Sequence, residues 1–297
     1  MKNRLRKLLK LLPFIGHYFD VNVPPGHYHS PIVSKTALRP KEGKLFSHPS
    51  KEIPGIDLHE KEQLELLEIF REYYNSMPFG RQKKESLRYY FTNAFYCESD
   101  GVFLHSMLRH FKPKRIIEAG SGFSSAMMLD TNEIFADGSI RFTFIEPYPE
   151  RLYGLLNEND RQNTEIIVSD LQDVPLDRFS ELEENDILFI DSTHVSKTGS
   201  DVNYILFEIL PSLKKGVLIH FHDVFFPFEY PQSWVMEWDG FGWNEDYILK
   251  AFLMYNPSFE IVFFNTFLEQ FHTEWFRQHM PLCLENTGGS LWLRKND

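Results

Sequence analysis

The chain has 297 residues, 42% hydrophobic and 25% charged, which is the make-up of a globular protein with room for one large domain and an accessory segment. Its net charge of -11 excludes nonspecific binding along a nucleic-acid backbone, which needs basic surface. Cys97 and Cys283 are too few for a disulfide framework and suit a reducing, cytoplasmic compartment, and no apolar run reaches the ~20 residues that span a bilayer.

The first segment, Met1 to Phe14, sets Leu5, Leu8, Leu11 and Leu12 at helical spacing between basic residues. Two readings fit: an amphipathic helix making peripheral contact with an anionic membrane surface, or a helix packed on its own domain or a partner. Residues 20–58 are rich in Pro, Gly, His and Ser, notably Pro24-Pro-Gly-His-Tyr-His-Ser-Pro31, and are expected to be irregular and extended, wrapping the domain or lidding a site. Leu64, Leu67 and Phe70 form a stripe that predicts a helix over His59–Tyr74, and a second helix is expected over Gly101–His110, ending before Pro113.

From Arg115 the pattern changes to short apolar runs alternating with helical stretches, the mark of a parallel sheet with crossover helices. Strands are expected at Arg115–Ala119, Arg141–Glu146, Glu165–Val168, Asp186–Asp191, Gly216–His222, Glu260–Asn265 and Gly289–Arg294. The aromatic and proline-rich stretch Phe225–Trp243 interrupts this rhythm before a helix at Asn244–Tyr255, as insertions that build the mouth of a site do. The expected domains are therefore 1–85, a helical and Pro-rich cap, and 86–297, an α/β domain.

Chemistry concentrates at the ends of these strands. Glu118-Ala119-Gly120-Ser121-Gly122 is a strand-to-helix turn in which backbone can pass close to a ligand. Two details separate it from a dinucleotide turn: Ser125 stands where a third glycine belongs, and the Glu118 carboxylate would repel a pyrophosphate but suit a cation. Glu146, one βα unit on, can accept both hydroxyls of a ribose, and Asp170 after the third strand can accept from an exocyclic amine. Asp191-Ser-Thr-His194 and His220-Phe-His222-Asp223 follow the fourth and fifth strands, so Asp191, His194, His222 and Asp223 can converge. They offer either a site for a hard divalent ion or a histidine general base oriented by a carboxylate. Period-two alternation sets His220 on the face of His222 but deeper, as a satisfied core histidine.

Glu118-x-Gly120-x-Gly122, Glu146, Asp170 and Asp191, over seven strands ending in a hairpin, resemble the class I S-adenosylmethionine-dependent methyltransferases, over roughly Ser86 to Arg294. Phe189–Pro231 and Pro24–Pro31 are similar to an uncharacterised bacterial subfamily found near polysaccharide and natural-product genes. The resemblance implies a Rossmann-like, doubly wound seven-stranded sheet, mostly parallel, with the seventh strand antiparallel between the fifth and sixth. It implies S-adenosylmethionine as cofactor, its methionine end on Glu118, Ala119, Gly120, Ser121 and Gly122, its ribose on Glu146, its adenine on Asp170 and Leu171, and its sulfonium near Asp191. The implied reaction is O-methylation of a small hydroxylated acceptor such as a sugar or natural product, with His194, His222 and Asp191 as catalytic residues. The Asp191 and Asp223 positions resemble the acidic metal ligands of catechol-type O-methyltransferases, so Asp191, His222 and Asp223 are the expected ligands of Mg or a similar ion. Those enzymes follow the second acid with Asn, whereas Val224 stands here. The alternatives are a catalytically idle module on the same fold and an NAD or nucleotide-sugar enzyme.

Overall fold

The computed structural model describes residues 23–47, 50–238 and 240–297; the helix expected over Met1 to Phe14 lies outside them. Seven strands form one sheet: β1 Arg115–Ala119, β2 Arg141–Ile145, β3 Glu165–Ile167, β4 Ile187–Ile190, β5 Leu218–His222, β6 Phe259–Phe264 and β7 Ser290–Lys295. Their order is β3-β2-β1-β4-β5-β7-β6, with β1 to β5 parallel and β7 antiparallel to both β5 and β6. The run Ile187-Leu-Phe-Ile190 is buried at every position, as it must be in a parallel strand covered on both faces. The order reverses between β1 and β4, so the C-terminal ends of these strands form the crevice where open α/β sheets hold ligands.

Helices α1 Glu60–Asn75, α2 Glu98–Phe111 and α3 Phe123–Phe135 pack in succession beside the sheet, α1 on α2 and α2 on α3. Leu67 and Phe70 of the α1 stripe are fully buried. Two further helices matter to the site: α4, Glu158–Asn163, and α5, Glu245–Leu253.

Four expectations need revision. The last two strands are adjacent and antiparallel, but no tight turn joins them; helices Asn265–Phe271 and Thr273–His279 intervene. The stretch 20–58 is not extended throughout, because Lys35–Leu38, Arg39–Lys41 and Glu42–Leu45 are helical turns. Ser34 caps the first through its hydroxyl, and Pro40 falls in the opening turn of the second, where its missing N–H costs nothing. The described residues divide into two compact units, Ser50–Glu229 with Trp243–Asp297, and 23–47 with Tyr230–Gly242, so the boundary drawn at 85/86 falls inside the larger unit. Within the smaller unit Gln232 donates to Glu42 at 3.0 Å and the Trp234 and Trp238 rings stack at 4.7 Å.

His220 is the fourth. It is fully buried as expected, but among the described residues neither ring nitrogen has a hydrogen-bond partner. Strand register explains this: its neighbours across β4 and β7 are Phe189 and Trp292, whose rings lie 4.1 and 4.5 Å away. Burial pushes its pKa well below the ordinary imidazole value, which keeps the ring neutral.

Candidate active site

The turn after β1 is built on close approach of two backbones. Gly120 has φ +79°, and a Cβ there would fall 1.7 Å from the carbonyl oxygen of Asp191. Asp191 N–H donates to Ala119 and Gly120 N–H to Ile145, which locks the turn between the ends of β4 and β2. The Ser125 hydroxyl accepts from Gly122 N–H at 3.0 Å, the contact that opens α3. Glu146 accepts from Ser121 N–H at 3.0 Å and Tyr148 N–H at 2.8 Å, so its carboxylate is pinned at the rim of the next strand.

Beside this turn lies a cavity of about 340 Å³ at the C-terminal edge of the sheet. Ala119, Gly120, Glu146, Asp170, Leu171 and Asp191 line it, so six of the nine positions expected to hold the cofactor meet at one void. Ser121 and Gly122 are not on its wall. Lys197 and Asp201 are on it and were not singled out from sequence; Asp201 accepts from Thr193 N–H at 2.9 Å and from its hydroxyl at 2.6 Å, fixing the loop after Asp191.

Glu118 departs from its expected role. It is fully buried and off the cavity wall, and accepts from the hydroxyls of Ser124 and Ser125 at the start of α3. Burial pushes its pKa up to about 8, although the two serine hydrogen bonds oppose the shift. At neutral pH it is therefore a neutral acid tying α3 to β1, and not a carboxylate facing a cation. The unfolded chain ionises near 4.5 and the folded one near 8, so the stability tied to Glu118 is whole below 4.5 and is lost as pH rises to about 8. Urea unfolding between pH 5 and 8 should show a steeper fall for the wild type than for Glu118→Gln; equal slopes would contradict a raised pKa.

Beside the cavity lies the second constellation. His194 and Asp223 both take left-handed backbone, φ 58° and 57°, which turns their side chains back toward the strand ends. His194 Nε2 lies 3.5 Å from Asp191 and 3.8 Å from Asp223; His222 Nδ1 lies 3.3 and 3.7 Å from the same two residues. On its far side each imidazole meets a buried carboxylate: Glu245 of α5 at 2.9 Å from His194 Nδ1, and Asp100 of α2 at 3.3 Å from His222 Nε2. Trp243 lies against the His194 ring at 4.3 Å, and Tyr96 is 5.0 Å from that of His222. Burial alone would lower the His194 pKa, but hydrogen bonding to Asp191 and Glu245 more than reverses this and raises it to about 10. His222 is likewise raised, against burial, by Asp223, Asp191 and Asp100. The four carboxylates around the two rings thus favour the imidazolium form of each.

Residues 117–224, from β1 to just beyond β5, match the model of a family described as a methyltransferase domain. An uncharacterised protein of Archaeoglobus fulgidus is 36% identical over 204 residues, which cover 66% of this chain and 91% of that one. The chain belongs to the class I S-adenosylmethionine-dependent methyltransferases. Similar solved structures include a methyltransferase of Podospora anserina bound to SAH, 18% identical with a TM-score of 0.42, covering 90% of this chain and 98% of that one. Another is the O-methyltransferase TomG of Streptomyces achromogenes in complex with SAM, 15% identical with a TM-score of 0.47, covering 82% and 100%.

Two observations test the methyltransferase's cavity and cluster against their groups. Ser192 lines the cavity and Ser121 stands at its turn, and among the described residues both buried hydroxyls lack a hydrogen-bond partner, as donors kept for a polar ligand would. His222 Nδ1 is buried and also unpartnered, and it faces Asp191 and Asp223, which fits the expected metal ligands Asp191, His222 and Asp223. His194 joins the same two acids: ligand atoms of Asp191, His194 and Asp223 lie within 4.8 Å of one another. Asp100 and Glu245 escaped the sequence reading because nothing in their neighbourhood points to histidines 122 and 51 positions away. Among the described residues no helix is long and apolar enough to cross a membrane.

Proposed function

We propose that this methyltransferase transfers the sulfonium methyl to an oxygen of a small hydroxylated acceptor, such as a sugar or natural product, held at the Asp191–His194–His222–Asp223 cluster. The observation that carries this is the double placement of Asp191: it lines the cofactor cavity and contacts both imidazoles of the cluster. A methyl on sulfonium is already activated, so the protein must align an attacking oxygen and provide for its proton. Asp191 and Asp223 can orient a hydroxyl by accepting from it. Either His194 or His222 can take its proton when that ring is neutral and holds no ion. A divalent ion held by Asp191, His222 and Asp223 would supply a further lowering of the acceptor's pKa.

Asp223 is off the cavity wall, which makes it the clean test. Asp223→Asn is expected to lower methyl transfer by roughly 10²–10⁴ fold, the usual worth of proton-transfer and charge alignment, with S-adenosylmethionine affinity unchanged by calorimetry. Labelled donor offered with sugars, phenols and lipids identifies the acceptor. Full transfer by Asp223→Asn would remove the cluster from the reaction.

A further inference from the structure

We propose that Asn265 and Ser290 are positioning residues for His222, acting through Asp100 and the turn Thr287-Gly-Gly-Ser290. The inference rests on the reading of the cluster as the acceptor end of the site, and it adds the residues that aim one of its rings.

Asp100 divides its two carboxylate oxygens between two tasks. Oδ1 accepts from the Ser290 hydroxyl at 2.6 Å, from Gly289 N–H at 3.1 Å and from the Asn265 amide at 3.5 Å. Oδ2 meets His222 Nε2 at 3.3 Å. Donors converging on one oxygen fix the plane of the carboxyl group, so the other oxygen has one direction in which to point. The contact at Nε2 in turn orients the ring and leaves Nδ1 facing Asp191, 3.3 Å away.

The turn is held by Asn265. Its Nδ2 donates to the Thr287 carbonyl at 2.8 Å and its Oδ1 accepts from Ser290 N–H at 2.8 Å, so one side chain closes the turn from both ends. The same Oδ1 accepts from Thr266 N–H at 2.7 Å, and Nδ2 lies 3.2 Å from Ser99 Oγ. Ser99 N–H donates to the Asn286 carbonyl at 3.1 Å, which joins the start of α2 to the turn. Asn265, Ser290 and Ser99 are fully buried and Asp100 is 3% exposed, so these bonds face no competition from water.

Close approach explains the pair of glycines. A Cβ on Gly288, whose φ is +58°, would fall 2.0 Å from Asp100 Oδ2. One on Gly289 would fall 2.9 Å from the Phe225 ring and 3.1 Å from Asp223 Cα. The turn therefore touches both the start of α2 and the end of β5, and it sets where Asp100 stands relative to His222. His194 is independent of it. Its partner Glu245 belongs to α5 and, among the described residues, shares no hydrogen bond with Asn265 or the turn.

The test uses the full chain carrying isotope-labelled histidine, without cofactor or acceptor. NMR reads the Nε2–H of His222 and the Nδ1–H of His194, each assigned by its loss in His222→Gln or His194→Gln. The expected result is a downfield, slowly exchanging His222 signal in the wild type. Ser290→Ala keeps every backbone bond of the turn. It should shift the His222 signal upfield and speed its exchange by about 10-fold or more, the worth of one hydrogen bond to a charged group, while His194 stays in place. Gly288→Ala and Asn265→Ala should abolish the His222 signal. An unchanged His222 signal in Ser290→Ala would overturn the proposal. So would an equal shift at His194, which marks a loosened fold and not a turned ring. Ser290→Ala carries the test alone if the other two variants fail to fold. Neither cofactor nor acceptor enters the readout, so its failure would leave the methyl-transfer reading standing.

Discussion

Gly120→Ala is expected to weaken S-adenosylmethionine binding by more than 100-fold and to cost roughly 2–5 kcal/mol of stability. Two effects combine at this position. The backbone is left-handed at φ +79°, and the added methyl would meet the Asp191 carbonyl oxygen at 1.7 Å, an atom that has no rotamer by which to yield. The strand ends must part, and Asp191 moves with them. Because Asp191 lines the cavity and contacts both cluster histidines, one methyl disturbs cofactor and acceptor sites together. Gly138→Ala is the control. Gly138 has φ +70° with nothing within 4 Å of its Cβ position, so it carries the backbone strain without the collision. It should lose about 1 kcal/mol and bind cofactor normally. Calorimetric titration and thermal unfolding of both variants separate the two effects, and wild-type cofactor affinity in Gly120→Ala would show that the turn does not hold the ligand.

The sequence exposed this part of the molecule well because its signals are local. Each of the seven strands is a short apolar run, and acids or histidines stand where the runs end, so the edge that carries Glu146, Asp170, Asp191 and His222 could be read directly. Residue facing is another matter. β1 is buried on both faces, which erases the period-two pattern that would have said whether Glu118 points to ligand or to core. The same limit applies to His220: alternation placed it on the face of His222, but only the register against Phe189 and Trp292 shows that its neighbours offer no hydrogen bond. The carboxylates behind the histidines are less legible still. Asp100 reads as an ordinary acid in the first turn of α2, where negative charge suits the helix dipole, and Glu245 reads the same way in α5. Their work at the site depends on β5 and the loop after β4 arriving opposite them, which is information held by topology and not by spacing.

Arg88 shows how far such long-range pairing extends, and Arg88→Met is expected to lower unfolding stability by roughly 3–5 kcal/mol, the cost of leaving buried charges without their partner. Its guanidinium is 8% exposed. It donates to Asp130 at 2.6 Å and to both oxygens of Asp160 in α4 at 2.7 and 2.8 Å, and it also reaches Glu133. Asp130 and Asp160 are themselves 1% and 3% exposed, so removing the arginine leaves two buried carboxylates with backbone N–H donors alone, from Arg88 and Tyr89 to the first and from Asn157 to the second. Arg88→Lys should recover little, because a single ammonium cannot serve three acids with the geometry of a planar fork. Urea unfolding should show a lower midpoint with an unchanged slope, and an unchanged midpoint would mean that water satisfies the acids instead. The tie also bears on catalysis. Arg88 anchors the segment in which the Tyr89 hydroxyl donates to the Tyr96 carbonyl at 2.7 Å, and that segment delivers Tyr96 beside His222 and leads into the turn of α2 that carries Asp100. Methyl transfer by Arg88→Met should therefore fall even at temperatures where the variant is fully folded, through a loosened His222 and not through a weakened cofactor cavity.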